Sequence, residues 1–191
     1  MQCKAAMIAA VLTGLVSACT GQAQLARPPR AAQTPAEQVA AALGEGSAPG
    51  PAKNRMAAAR TLAALGARPA VAGEPDLAAS WLAQEQGADK EPVYRGRMLG
   101  PAYRKGLIGA GADVLIEQVF MAGQVAEVVL SPSDGARLNL TIAGPSGQEV
   151  CKSLVLRPPG KCSWRPPFAG RYQVRINNSG AQCASFFLVV N

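Results

Sequence analysis

The sequence predicts a mainly-β protein, an antiparallel β-sandwich preceded by a short Ala-rich helical region. Three observations carry this. Beyond about Val93, apolar and polar residues alternate with period two. Turn signals recur there every 8 to 12 residues, the spacing of short strands in a sandwich or barrel. Upstream, three Ala-rich stretches carry helix start and stop signals instead.

The first twenty residues are read as an export signal. Lys4 precedes an apolar run, Ala5 to Val16. That run is too short for a helix crossing a bilayer core of about 30 Å, which takes about 20 residues, and suits the apolar region of a secretory signal. Val16-Ser17-Ala18-Cys19 then looks like a bacterial lipobox, with Cys19 supplying the thiol that takes the lipid. Leucine is the usual first residue, so Val16 is a departure. Cleavage near Gly21-Gln22-Ala23 is the alternative and would leave a soluble periplasmic or secreted chain. The expected organisation is a signal peptide over 1–18, a flexible tether over 19–33, a helical region over 34–90 and a β-sandwich over 91–191.

Thr34-Pro35-Ala36-Glu37 is a capping box with proline at the first helical position, and Gly44 is expected to end that helix. A second helix is expected from Asn54 to Leu65, stopped by Gly66. A third starts near Glu74-Pro75-Asp76 and runs to Gln86, with Leu77 and Trp81 on one face. Helices this short are marginal alone and must pack on each other or on the β domain.

The strand with the cleanest alternation is Arg171 to Ile176: Tyr172, Val174 and Ile176 face inward, Arg171, Gln173 and Arg175 outward. Arg137 to Ile142 repeats the pattern. Asp113–Phe120, Gln124–Leu130, Glu149–Leu156, Lys161–Arg165 and Cys183–Val190 complete the set. One buried face per sheet requires two sheets facing each other.

Of the five cysteines, Cys151, Cys162 and Cys183 fall in the sandwich. An oxidising compartment permits one disulfide among them. Cys151 with Cys162 is the expected pair, because the segment around Arg157-Pro158-Pro159-Gly160 reads as a hairpin; Cys183 is then a small buried residue. Cys162 with Cys183 is the competing pair.

Chemistry is constrained by what is missing. The chain has no histidine, so Ser-His-Asp and Cys-His constellations are impossible. Cysteine spacing matches no zinc site, no Asp-rich loop suits calcium, and phosphate- and dinucleotide-binding fingerprints are absent. No metal, no cofactor and no catalytic residue is expected. Asp113, Glu117, Glu127, Asp134 and Glu149 show no paired spacing, although folding can bring two carboxylates together.

The formal net charge is +7, from 19 Lys and Arg against 12 Asp and Glu, which favours anionic contacts. The candidate binding surface comprises Arg171 and Arg175, with Arg137 on a neighbouring surface, and the stretch from Tyr94 to Gly106, whose Arg95, Arg97, Tyr103 and Arg104 form either a recognition loop or an edge strand joining helices to sandwich. Trp164 is expected to pack near the sandwich edge, with sugar stacking as the other reading.

The run from Ala122-Gly123-Gln124 through "ARLNLTIAGPSGQEV" and "CSWRPPFAGRYQVRINNSG" to a final apolar strand resembles the bacterial pre-peptidase C-terminal domain. The resemblance covers Ala122 to Asn191 and implies a jelly-roll-like sandwich that acts as an accessory module without catalysis. Many members carry an acidic residue beside the Leu-x-Leu strand; Asn139 and Arg137 stand there in this chain, against any metal-binding role.

The function these readings favour is a non-catalytic, lipid-anchored envelope module facing the periplasm. Its expected partners are the membrane, through the anchor, and another envelope protein or an anionic polysaccharide, not nucleic acid. An accessory or inhibitor subunit of a secreted hydrolase is the alternative. A carbohydrate-active enzyme whose carboxylates converge only on folding is a third.

Overall fold

The computed structural model describes residues 33–86, 100–132, 135–155 and 159–191. Cys19, Arg95, Arg97, Asp134 and residues 156–158 lie outside them.

Helix α1 spans Pro35–Ser47, and its capping box forms: Glu37 N–H donates to Thr34 Oγ1, and Thr34 N–H donates to the Glu37 carboxylate. It runs past Gly44, contrary to expectation. Gly44 and Gly46 serve packing instead. A Cβ on Gly46 would lie 2.3 Å from the Trp81 ring, and one on Gly44 would touch Ser131. Helix α2 (Ala52–Ala64) ends before Gly66, which takes a left-handed φ of 64°. A two-residue strand β1 (Arg68–Pro69) interrupts the helical region, which the alternation gave no sign of. Helix α3 (Leu77–Gln86) is capped by Asp76, whose Oδ1 accepts from Ala78 N–H at 2.9 Å.

Eight longer strands follow: β2 (Ala102–Ile108), β3 (Asp113–Phe120), β4 (Ala126–Pro132), β5 (Leu138–Ala143), β6 (Glu149–Val155), β7 (Gly160–Trp164), β8 (Gly170–Asn178) and β9 (Ala184–Val190). They form two sheets, β1-β2-β9-β4-β7 and β3-β8-β5-β6. Apart from the parallel β1–β2 contact, every pairing is antiparallel. β2 pairs β9, β3 pairs β8, β4 pairs β7 and β5 pairs β6, the nesting of one long hairpin rolled into two sheets. That is the jelly roll.

Ile108, Val128, Leu130, Leu140, Val174, Ile176 and Leu188 fill the space between the sheets. A second core lies on the other side of the five-stranded sheet. There Tyr103, Val129, Phe187 and Val189 meet Val39, Leu43, Leu62 and Trp81 of the three helices. The layering is therefore helices, five-stranded sheet, four-stranded sheet. Strand β4 is buried at every residue for this reason. One buried face per sheet holds for the four-stranded sheet and fails for the five-stranded one.

Cys151 and Cys162 form the disulfide, but not across a hairpin. β6 ends the four-stranded sheet and β7 ends the five-stranded one, so the bridge staples the two sheets together. Cys183 is exposed and unbonded, not buried. It falls in the turn before β9, which Asn178 organises by donating through Nδ2 to the carbonyls of Gly109 and Gln182.

Candidate binding face on the four-stranded sheet

The helices cover one sheet and leave the outer face of the other open. Register fixes the layout of that open face. Asp113, Asn177, Asn139 and Leu154 form one cross-strand row; Leu115, Arg175, Thr141 and Lys152 form the next; Glu117, Gln173, Ala143 and Glu149 a third; Val119 and Arg171 a fourth. The middle rows line a shallow depression of about 400 Å³.

Charge alternates from row to row. Three cations (Arg171, Arg175, Lys152) face outward beside three carboxylates (Asp113, Glu117, Glu149). Arg171 Nη1 lies 3.3 Å from Glu117 Oε2. The face is therefore close to neutral and banded, whereas the arginines of β8 alone suggested a basic surface. Between the charges, Leu115, Val119 and Leu154 stand more than half exposed.

The other expected surface residues scatter. Tyr103 is not on a surface: it is 2% exposed. It alternates with Arg104 along β2, so its ring faces the helices, and its hydroxyl accepts from Leu77 N–H at 2.8 Å, the partner a buried phenol needs. Burial raises the Tyr103 pKa above the usual phenol value, the Leu77 hydrogen bond opposes this, and the charges of Asp76 and Glu74 add to it. Arg104 is half-buried on the same strand of the other sheet. Arg137 is exposed just before β5, and its carbonyl accepts from Ser179 N–H at 3.1 Å. The Trp164 ring packs edge-on to Phe120 at 4.8 Å and against Tyr172 at 5.6 Å, which removes it as a sugar platform.

Folding does bring two carboxylates together. Lys161 Nζ lies 3.2 Å from Glu37 and 3.0 Å from Glu127, and Thr34 Oγ1 donates to Glu127 at 2.8 Å. Burial works against the charged form of Glu37, yet hydrogen bonds from Thr34 and Lys161 hold its pKa below the ordinary value. Burial likewise opposes the Lys161 ammonium, but Glu127 and Glu37 together raise its pKa. A lysine filling the space between two acids is a clamp joining α1 to the sheet. Among the described residues, no cluster of three or more His, Cys, Asp or Glu could hold a metal.

Leu115, Thr141 and Lys152 were not singled out by the sequence, and Glu117 and Glu149 only as scattered carboxylates. Their only signal is an outward place on a strand, and which strands neighbour one another is not legible without the pairing.

No protein-family profile matches the chain, and no curated protein matches it. Among solved structures, the pre-peptidase C-terminal domain of a collagenase from Bacillus anthracis overlaps at TM-score 0.43 and 11% identity, covering 47% of this chain and 88% of that one. PliG of Aeromonas hydrophila, a periplasmic lysozyme inhibitor of g-type lysozyme, overlaps at TM-score 0.39 and 15% identity over 48% and 84% of the two chains. The Yersinia pseudotuberculosis-derived mitogen overlaps at TM-score 0.42 and 16% identity over 48% and 85%. Each overlap covers about half of this chain, and the jelly-roll assignment stands on the strand order and register above.

Proposed function

We propose that the protein is an exported, lipid-anchored binding module without catalytic activity, and that the open face of β3-β8-β5-β6 holds another protein of the cell envelope. The observation that carries this is the banded face: exposed Leu115, Val119 and Leu154 set among equal numbers of cations and carboxylates. A polyanion would meet Asp113, Glu117 and Glu149 as repulsion. A protein surface with complementary bands gains from both signs and from the apolar contacts. The Cys151–Cys162 bridge supports an oxidising compartment, and the Val16-Ser17-Ala18-Cys19 motif supports the anchor.

A photo-crosslinking residue at Thr141, in the native host, tests the reading. A discrete protein adduct that disappears on Arg175→Glu with Lys152→Glu supports it. An adduct that survives the charge reversal, or crosslinking only to polysaccharide, refutes it. Intact mass of the mature protein tests the anchor, and a mass beginning at Gln24 without acyl chains excludes it.

A further inference from the structure

We propose a second contact surface at one end of the sandwich: the apolar tips of the 121–125 turn and the 165–169 loop insert into the lipid surface to which the chain is anchored. The anchor belongs to the proposed function; the insertion goes beyond it and uses different residues.

Met121, Val125 and Phe168 are 58%, 54% and 78% exposed. All three sit on loops at the same end, where β3 turns into β4 and β7 into β8. The two loops are tied rather than loose. Gly123 N–H donates to the Pro166 carbonyl at 2.9 Å, and Arg165 Nη1 donates to the Gly123 carbonyl. Gly123 takes a left-handed φ of 72°, which the turn requires. Exposed apolar groups held on a braced scaffold mark a contact site.

Two things on this end favour a lipid occupant. The first is charge. Arg165 braces the loops, and Arg68 lines a depression with Met121 and Val125. The side-chain carboxylates nearby are engaged: Glu117 by Arg171, and Glu37 and buried Glu127 together by Lys161. Apolar tips rimmed by arginine suit the boundary between headgroup phosphates and acyl chains. The second is attachment. Thr34 is bonded to Glu127, two residues beyond Val125, so the chain enters the fold at this end. From Cys19 to Gln33, 14 Cα-to-Cα steps reach at most about 50 Å.

The test uses the mature protein isolated from the envelope, incorporated into vesicles of phosphatidylethanolamine and phosphatidylglycerol containing brominated acyl chains. Phe168→Trp is compared with Leu107→Trp, a position equally exposed (73%) at the opposite end, each read above the parent's own tryptophans. The expected result is quenching at 168 at least about twofold stronger than at 107, because interfacial side chains reach about 5–10 Å into the bilayer. It should persist at about 1 M salt, where charges act over only about 3 Å, and fall when Met121→Asp and Val125→Asp are added. Equal quenching at both ends, none at 168, or loss in high salt overturns the proposal. The anchor is scored separately by mass, so its absence and the absence of insertion are distinct results.

Discussion

The Lys161 ammonium lies 3.0 Å from the Glu127 carboxylate, and that carboxylate is 5% exposed. A charge so placed depends on its partners. Lys161→Ala leaves the Glu127 carboxylate, among the described residues, with the Thr34 hydroxyl and is expected to cost about 2–3 kcal/mol. This is less than a fully buried pair, because Lys161 keeps access to water. Urea unfolding measures it. A change within about 0.5 kcal/mol, the scale of an ordinary surface substitution, would show the clamp contributes nothing.

The same cluster, together with Tyr103 beneath the helices, sets a pH window. The Glu37 pKa is lowered by folding, so its contribution is present above the ordinary glutamate value and is lost as pH falls through the lowered one. Lys161 and Tyr103 are both raised, so theirs is present below their ordinary values and is lost as pH rises through the raised ones. Tm should therefore hold a plateau from about pH 5 to about pH 10 and decline on both sides. Tyr103→Phe should soften the alkaline decline while lowering the plateau, since Leu77 N–H loses its acceptor. An alkaline limb unchanged by that substitution removes Tyr103 from the account.

Reducing the Cys151–Cys162 bridge should lower stability by about 2–3 kcal/mol, the scale for a loop of this length. The loss should appear as the sheets parting at β6 and β7, read by amide exchange in those strands. Cys183→Ser should leave stability unchanged. Alkylation of the native protein should modify Cys183 and spare Cys151 and Cys162.

Gly106→Ala is expected to be among the costly small changes. The new methyl carbon would lie 2.3 Å from the Phe186 ring, which is buried in the inter-sheet core. Overpacking of this kind costs about 1–3 kcal/mol. Gly111→Ala meets open space but sits at φ 65°, so its penalty comes from the backbone alone. Chemical denaturation of the two variants separates the causes, with Gly106→Ala expected to be the worse.

Strand positions were legible because alternation is a local property. Tyr172, Val174 and Ile176 declare their face without help from the rest of the chain. Packing of the helices on the β domain was legible as one of two alternatives, but not which strands they cover, although Val128-Val129-Leu130 and Phe186-Phe187-Leu188-Val189 carry the mark: continuous apolar runs belong to strands covered on both sides. Tyr103 was misplaced for the same reason, since Tyr-Arg spacing looks like an interface until a helix covers the tyrosine. The disulfide was paired correctly from a hairpin that does not exist. Sequence proximity brought the cysteines together, while the strand order that separates β6 from β7 is non-local. The candidate face was half legible: Arg171 and Arg175 point outward as alternation requires, but the acids beside them come from β3 and β6.

Strand β9 lies between β2 and β4, with Val190 opposite both Ala102 and Val128. The centre of the five-stranded sheet is thus the last of the described strands along the chain. Neither core can close while residues 184–190 are still within the ribosome or a secretion channel. Until then the chain stays pliable enough to thread through a narrow pore, and it is exposed to aggregation for the same interval. If the chain is exported as proposed, both cores close only after β9 has left the channel, because each of them draws side chains from that strand.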